Sequence, residues 1–250
     1  MIDREITAII PARAGSLRVP NKNKLPLNGH PLIAYSIVTA KVSDKFQRVI
    51  VASDSNEICE MGNHYGADMV VKRNAEDATA TSMDIDWLTN LYNSGVIDTE
   101  LFAILRPTSP FRSVDLISNC VDMFLSSNAD SLRTIKKVSE HPGKMWKLLG
   151  NNQIVSYTKQ AINEPASHAK QYQSLEQVFV QTSVLEISKT ANIFTTKSRE
   201  GNLVLGFLTQ GTDSFSIDGL EDVQYLDFLV EKFPNLLNQI NQKSFYEVNH

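Results

Sequence analysis

Apolar and polar positions along the chain alternate between short buried runs and amphipathic stretches. EITAIIP (5–11), rich in β-branched residues and closed by proline, reads as a buried strand. RVIVAS (48–53) reads as a second, Asp68 to Val71 as a third and Leu101 to Leu105 as a fourth. Between them, Pro31 suits the first position of a helix carried by Leu32, Ile33, Tyr35, Ile37 and Val38. Further helices are predicted from Ser55, a plausible N-cap, to about Gly66, over Met83 to Tyr92, and over Val114 to Leu125. Strands alternating with helices imply βαβ units and a Rossmann-like, doubly wound, mostly parallel sheet, an α/β fold. In such sheets ligands sit beyond the carboxyl ends of the strands. The polar segments 12–30, 53–55, 73–82 and 106–112 all follow strands and should converge there.

The pattern breaks after Asp130. Residues 139–176 are polar and irregular and read as an arm inserted between two parts of one α/β domain, 1–138 and 177–250. Strand character returns at Val178 to Ile187 and Leu203 to Leu208. Leu220 to Phe233 reads as a strong helix and 235–243 as a weaker terminal one.

With 24 Lys+Arg against 28 Asp+Glu in 250 residues, the chain is mildly acidic, a poor general binder of nucleic acid or anionic membrane. The charge is unevenly placed. From Ile6 to Ser43 there is no acid at all, while Arg13, Arg18, Lys22, Lys24 and Lys41 fall there. No apolar run approaches a membrane span. The start lacks the charged and apolar regions of a signal peptide, and Cys59 and Cys120 form no metal or redox pattern. These features predict a reduced, cytoplasmic protein.

The loop PARAGSLRVPNKNK (11–24) holds most of that charge. Gly15 and Ser16 let backbone N–H groups turn towards an anion. Arg13 offers a fork to phosphate oxygens and Lys22 a point charge. It has neither the ending of a P-loop nor the three glycines of a dinucleotide fingerprint. On composition alone, a phosphate cradle and a solvated basic loop both stay open.

Pro11-Ala12-Arg13, Gly15-Ser16 and Lys22-Asn23, in that order after a strand, resemble the N-acylneuraminate cytidylyltransferases (CMP-sialic acid synthetases) and their relatives for other nonulosonic acids. Ser53-Asp54-Ser55, Tyr65-Gly66-Ala67, LRPTSPFR (105–112) and SEHPGKMWKL (139–148) extend the resemblance over most of the chain. It implies that Ala12, Arg13, Gly15, Ser16, Lys22, Asn23, Arg73 and Ser82 contact the nucleotide CTP. It implies Arg106, Thr108, Ser109, Gln173 and Phe179 as contacts of the sugar acid, with Arg106 where many relatives have Gln. SFSIDGLEDV (214–223) resembles the family's Asp-Ile-Asp metal segment, with Ser216 in place of the first Asp. Asp218 is thereby the implied ligand of Mg²⁺; read without the resemblance, it is a helix cap before Leu220. Asp77 and Thr81 are ambiguous partners of the same site, and the arm is implied to form a homodimer.

The implied reaction is attack of a sugar hydroxyl on CTP with release of pyrophosphate. Arg13, Lys22 and Asp218 carry it, and no general base stands out. Three rivals remain at this point: a nucleotidyltransferase for another acid such as 3-deoxy-octulosonic acid, a homologue that binds without turnover, and a glycosyltransferase. The last would usually show an Asp-x-Asp after the third or fourth strand, and none is there. Tyr35, Trp87 and Trp146 read as packing aromatics, and His141 and His168 as solvated.

Overall fold

A computed structural model describes residues 5–74, 76, 82–158 and 166–248. Seven strands form one sheet in the order β11-β7-β10-β6-β1-β4-β5. At its centre β1 (Ile6–Pro11) pairs in parallel with β4 (Arg48–Ser53) on one side and β6 (Leu101–Ile104) on the other; β5 (Met69–Lys72) extends the β4 side. The chain thus runs outward from β1 through β4 to β5, then crosses back to β6. The loops after β1 and β6 diverge at that switch point, which opens a crevice between them.

On the far side, β10 (Phe179–Lys189) runs antiparallel to both β6 and β7 (Ser131–Lys137), and β11 (Val204–Leu208) is parallel to β7. Strand β7 was not predicted, because SLRTIKK carries only two large apolar residues. It is nevertheless an interior strand. Thr134 Oγ1, buried there, donates to Leu185 O at 3.0 Å and receives Thr182 Oγ1 at 2.7 Å, so its polar atoms are satisfied inside the sheet.

Successive side chains of a strand face opposite sides. Ala8 and Ile10 therefore join one core with α1 (Leu32–Val42), α2 (Asn56–His64) and α4 (Val114–Leu125), while Ile9 joins a second core with α3 (Asp84–Asn93) and α5 (Asn192–Thr195). Helix α1 is buried from Leu32 through Ala40, which is why its sequence shows no polar face. Gly62 of α2 lies where a Cβ would stand 3.0–3.2 Å from Val70 and Val51, so glycine permits the close seating of that helix.

Two predictions at the termini of elements need correction. The polar stretch before His30 contains a hairpin, β2 (Pro26–Leu27) and β3 (His30–Pro31), turned by Asn28 and Gly29 at φ 45° and 84°. That is the left-handed pair an Asn-Gly turn supplies. The helix predicted over 235–243 is absent: Pro234–Leu236 makes one 3₁₀ turn, and a short helix α7 forms later, at Phe245–Val248. Helix α6 (Leu220–Lys232) is as predicted, ending one residue earlier.

The excursion between β7 and β10 carries a hairpin, β8 (Trp146–Leu148) with β9 (Ile154–Ser156). Tyr172 Oη donates to Val138 O at 2.8 Å and His141 Nε2 contacts Glu176 O at 2.9 Å, tying the base of the arm together. Met145, Trp146, Leu148, Leu149, Ile154 and Val155 are exposed on it. No helix among the described residues is long and apolar enough to cross a membrane.

Candidate functional site

The predicted convergence of loops is present at the crevice. A cavity of about 300 Å³ is lined by Pro11, Arg13, Ser16, Lys22 and Asn23 from the first loop, by Arg73, Ser82, Asp84 and Trp87 from the β5–α3 side, and by Arg106, Pro107 and Thr108 after β6. A larger concavity of about 980 Å³ lies at the opposite end of β6, around Tyr92, Thr99 and Phe194, remote from the loop face. The smaller one lies at the carboxyl ends of the strands and is lined by four cations, Arg13, Lys22, Arg73 and Arg106, which makes it the candidate site.

The first loop is braced by its neighbours rather than left open. Ala12 N bonds Ala52 O at 3.0 Å, Ala14 N bonds Asp54 Oδ1 at 2.7 Å and Asn23 Nδ2 bonds Arg13 O at 2.9 Å. Segment 53–55 therefore supports the basic loop instead of lining the cavity. Ala12, fully buried, acts through this backbone pairing. Gly15 sits on the exposed rim. Tyr246 Oη donates to Lys24 O, and Lys24 Nζ is 2.6 Å from Glu57, so the loop's far end is tied to α2 and to the C-terminal segment.

Lys22 donates from Nζ to Ile217 O at 2.7 Å. Burial lowers its pKa below the ordinary lysine value, against the opposing pull of Asp218. Asp218 does not cap α6. That role belongs to Asp222, whose Oδ2 accepts from Asp218 N and Gly219 N, both at 2.7 Å. The Asp218 carboxylate instead faces the basic loop, 3.8 Å from Arg18. It stands beside the cavity rather than in its wall. Ser216 Oγ and Thr108 Oγ1 are buried without a hydrogen-bond partner, and Ile217 N bonds Thr108 O at 2.9 Å, which brings these two segments side by side.

Three residues at or behind the cavity, Asp84, Trp87 and Arg112, are not marked as site residues by the sequence. Asp84 heads α3 and accepts from Trp87 Nε1 at 3.0 Å on one oxygen, and from Arg106 and Arg199 on the other. Burial alone would raise its carboxyl pKa, but the two guanidiniums outweigh burial and hold it below the usual range. Trp87, read as packing, is 2% exposed yet also lines the cavity, with the Arg73 guanidinium 5.0 Å from its ring centre. An acid opening a helix is ordinary, so no local sequence signal marked Asp84. Arg112 is buried outright. It donates to Val184 O, to Ser36 Oγ and to Arg106 O at 2.5, 3.0 and 2.8 Å, fixing the loop that presents Arg106 and Thr108.

Ser109 is buried behind the cavity. Gln173 lies by a separate hollow of the arm, with His141 and Tyr172, and Phe179 is exposed at the start of β10; neither lines the cavity. Asp77 and Thr81 fall outside the described residues. Among the described residues no three His, Cys, Asp or Glu side chains cluster as a metal cage.

Comparisons with known proteins bear on the family and the fold. A cytidylyltransferase family model matches residues 7–185. The N-acylneuraminate cytidylyltransferase of Escherichia coli O18:K1:H7 is 28% identical over 247 residues, 96% of this chain and 57% of that protein. The CMP-N,N′-diacetyllegionaminic acid synthase of Legionella pneumophila is 38% identical over 121 residues, 47% of this chain and 52% of the other. The chain thus matches little more than half the length of these two relatives. Among solved structures, a CMP:2-keto-3-deoxy-manno-octonic acid synthetase complexed with CTP superposes with a TM-score of 0.65 at 13% identity, covering 91% of this chain and 99% of the other. At that identity the likeness establishes the fold.

Proposed function

The chain belongs to the cytidylyltransferase family, and from that premise we propose that it activates a nonulosonic, sialic-type acid with CTP, giving the CMP-sugar and pyrophosphate. The observation that carries the reading is the cavity itself. Arg13 and Lys22 on one loop face Arg73 and Arg106 across a crevice at the switch point of a parallel sheet. The names of these two relatives supply the acid.

The sugar's C2 hydroxyl oxygen forms a bond to the α-phosphorus, the bond from that phosphorus to the bridging oxygen breaks, and pyrophosphate leaves. Such a step needs positioning and charge neutralisation more than covalent help. Arg13 and Lys22 hold the β- and γ-phosphates and offset their growing charge, Ser16 and Asn23 complete the loop's contacts, and Arg73 with Ser82 meets the nucleoside. Arg106 and Thr108 face the sugar. Asp84, the one carboxylate among the described cavity-lining residues, is a poor proton acceptor because its two arginines hold it ionised. The hydroxyl proton accordingly passes to solvent.

The donor set suits a hard divalent cation. Asp218 presents one exposed carboxylate towards the loop, and a cation that keeps several waters and takes phosphate oxygens needs no more. Mg²⁺ bound there would neutralise phosphate charge. Asp218 would hold it, with the Ser216 hydroxyl as a neutral oxygen nearby. The exposed apolar hairpin of the arm supports a homodimer, and Gln173 and Phe179 can serve as sugar contacts only if a second copy's arm delivers them. Two unbridged cysteines, one of them buried, fit a reduced cytoplasmic setting.

Arg106, standing where glutamine is usual, favours a second reading in which the acid is 3-deoxy-octulosonic. The test is pyrophosphate release with Mg²⁺ and each nucleoside triphosphate against a panel of nine- and eight-carbon acids. Release with CTP and a nine-carbon acid supports the proposal. Release with the eight-carbon acid alone transfers it to the second reading, and none with any pair refutes both.

A further inference from the structure

Behind the cavity three arginines and three acids form one cluster. Arg106 bonds Asp84 and lies 3.4 Å from Glu186. Arg133 lies 3.3 Å from Glu186 and bonds Glu200. Arg199 bonds Asp84 and lies 3.1 Å from Glu186 and 3.5 Å from Glu200. Three positive charges thus meet three negative ones, on side chains drawn from α3, the loop after β6, β7, β10 and segment 199–200. Of the six, Asp84 and Arg106 line the cavity.

This arrangement bears on where a polyphosphate can go. Four cations line the cavity, Arg13 and Lys22 on the loop, Arg73 against the Trp87 ring and Arg106 after β6. Arg106 carries the same guanidinium fork as Arg13 and a stronger phosphate grip than the Lys22 ammonium, so an unmasked Arg106 would compete with the loop. Its charge is instead already taken. Asp84 occupies it from the cavity side and Glu186 from the sheet side, while Arg199 and the Trp87 indole hold the Asp84 carboxylate so that it cannot swing away.

We propose that Asp84 is a specificity-determining residue: by masking Arg106 it confines the triphosphate to Arg13 and Lys22 and keeps the floor of the cavity for the neutral polar groups of the acceptor. The proposal rests on the nucleotide reading above for its meaning, yet its test needs only inorganic tripolyphosphate. The full-length chain and its Asp84→Asn, Arg106→Gln and doubly substituted variants are titrated calorimetrically with that anion.

Arg106→Gln should leave the tripolyphosphate dissociation constant within about twofold, because the masked arginine does not touch it. Asp84→Asn should tighten binding by about tenfold or more, and the double variant should return to the parent value. A tenfold loss in Arg106→Gln, or no gain in an Asp84→Asn protein that melts cooperatively, overturns the proposal. If Asp84→Asn does not fold, Arg106→Gln decides alone. Titration of the parent with CTP separates the two claims. CTP binding no tighter than tripolyphosphate undercuts the cytidylyl reading and leaves the masking to be judged on the variants; tight CTP binding with a tenfold Arg106→Gln loss does the reverse.

Discussion

Replacing Lys22 with alanine should separate catalysis from stability. The folded chain loses one hydrogen bond, Nζ to Ile217 O at 2.7 Å, worth about 1 kcal/mol net. Part of that is returned, since the half-buried ammonium no longer has to be desolvated. The melting temperature should therefore move by no more than about 2–4 °C. The loss at the transition state is larger. A unit charge about 4 Å from a phosphate oxygen interacts by roughly 4 kcal/mol at an effective dielectric near 20. After desolvation, removal of such a donor commonly costs about 10²–10³ in rate. Pyrophosphate release under saturating CTP, measured beside a thermal melt, reads both quantities. Near-parental turnover in Lys22→Ala would refute the placement of the leaving phosphates on this loop. So would a fall in turnover matched by a large loss of stability.

Other consequences follow from the same contacts. Arg112→Ala should destabilise by about 3–5 kcal/mol, since it empties a buried volume, leaves Val184 O without its donor and removes the strongest contacts of Arg106 O and Ser36 Oγ; Arg112→Lys should recover little in a denaturant melt, because one ammonium cannot reach all three acceptors as the guanidinium does. Gly62→Ala should cost about 1–3 kcal/mol by overpacking against Val51 and Val70 while leaving CTP affinity unchanged. Lys22 must be protonated to hold phosphate, and burial lowers its pKa, so CTP affinity should weaken with rising pH earlier than an ordinary lysine predicts; Lys22→Arg should move that alkaline limb upward. Replacing exposed Leu148 and Ile154 of the arm with glutamate should convert a dimer to monomer in sedimentation, and an unchanged mass would remove the arm from the interface.

Much of this was legible because strong local signals and the global fold agree. Runs such as RVIVAS and the Pro-bounded 105–112 loop place their strands and the turns after them with little ambiguity, and the loop cations are visible as a charge asymmetry. What escaped depends on distant partners. Strand β7 is polar in sequence because Thr134 finds its hydrogen bonds on β10, fifty residues away in the chain. Asp84 reads as a helix-opening acid until Arg106 and Arg199 are brought to it by the fold. Asp218 reads as a helix cap until Asp222 is seen to fill that place. The Asn28-Gly29 hairpin is the exception, since its turn signal is present in the sequence itself.

If this crevice joins CMP to a sugar acid, the transfer is visible at phosphorus. Phosphorus NMR of the protein with CTP, Mg²⁺ and N-acetylneuraminic or N,N′-diacetyllegionaminic acid tests it most directly. The three CTP signals should disappear while pyrophosphate and a CMP phosphodiester form in equimolar amounts. Persistence of CTP with both acids, or consumption of another nucleoside triphosphate in its place, would contradict it.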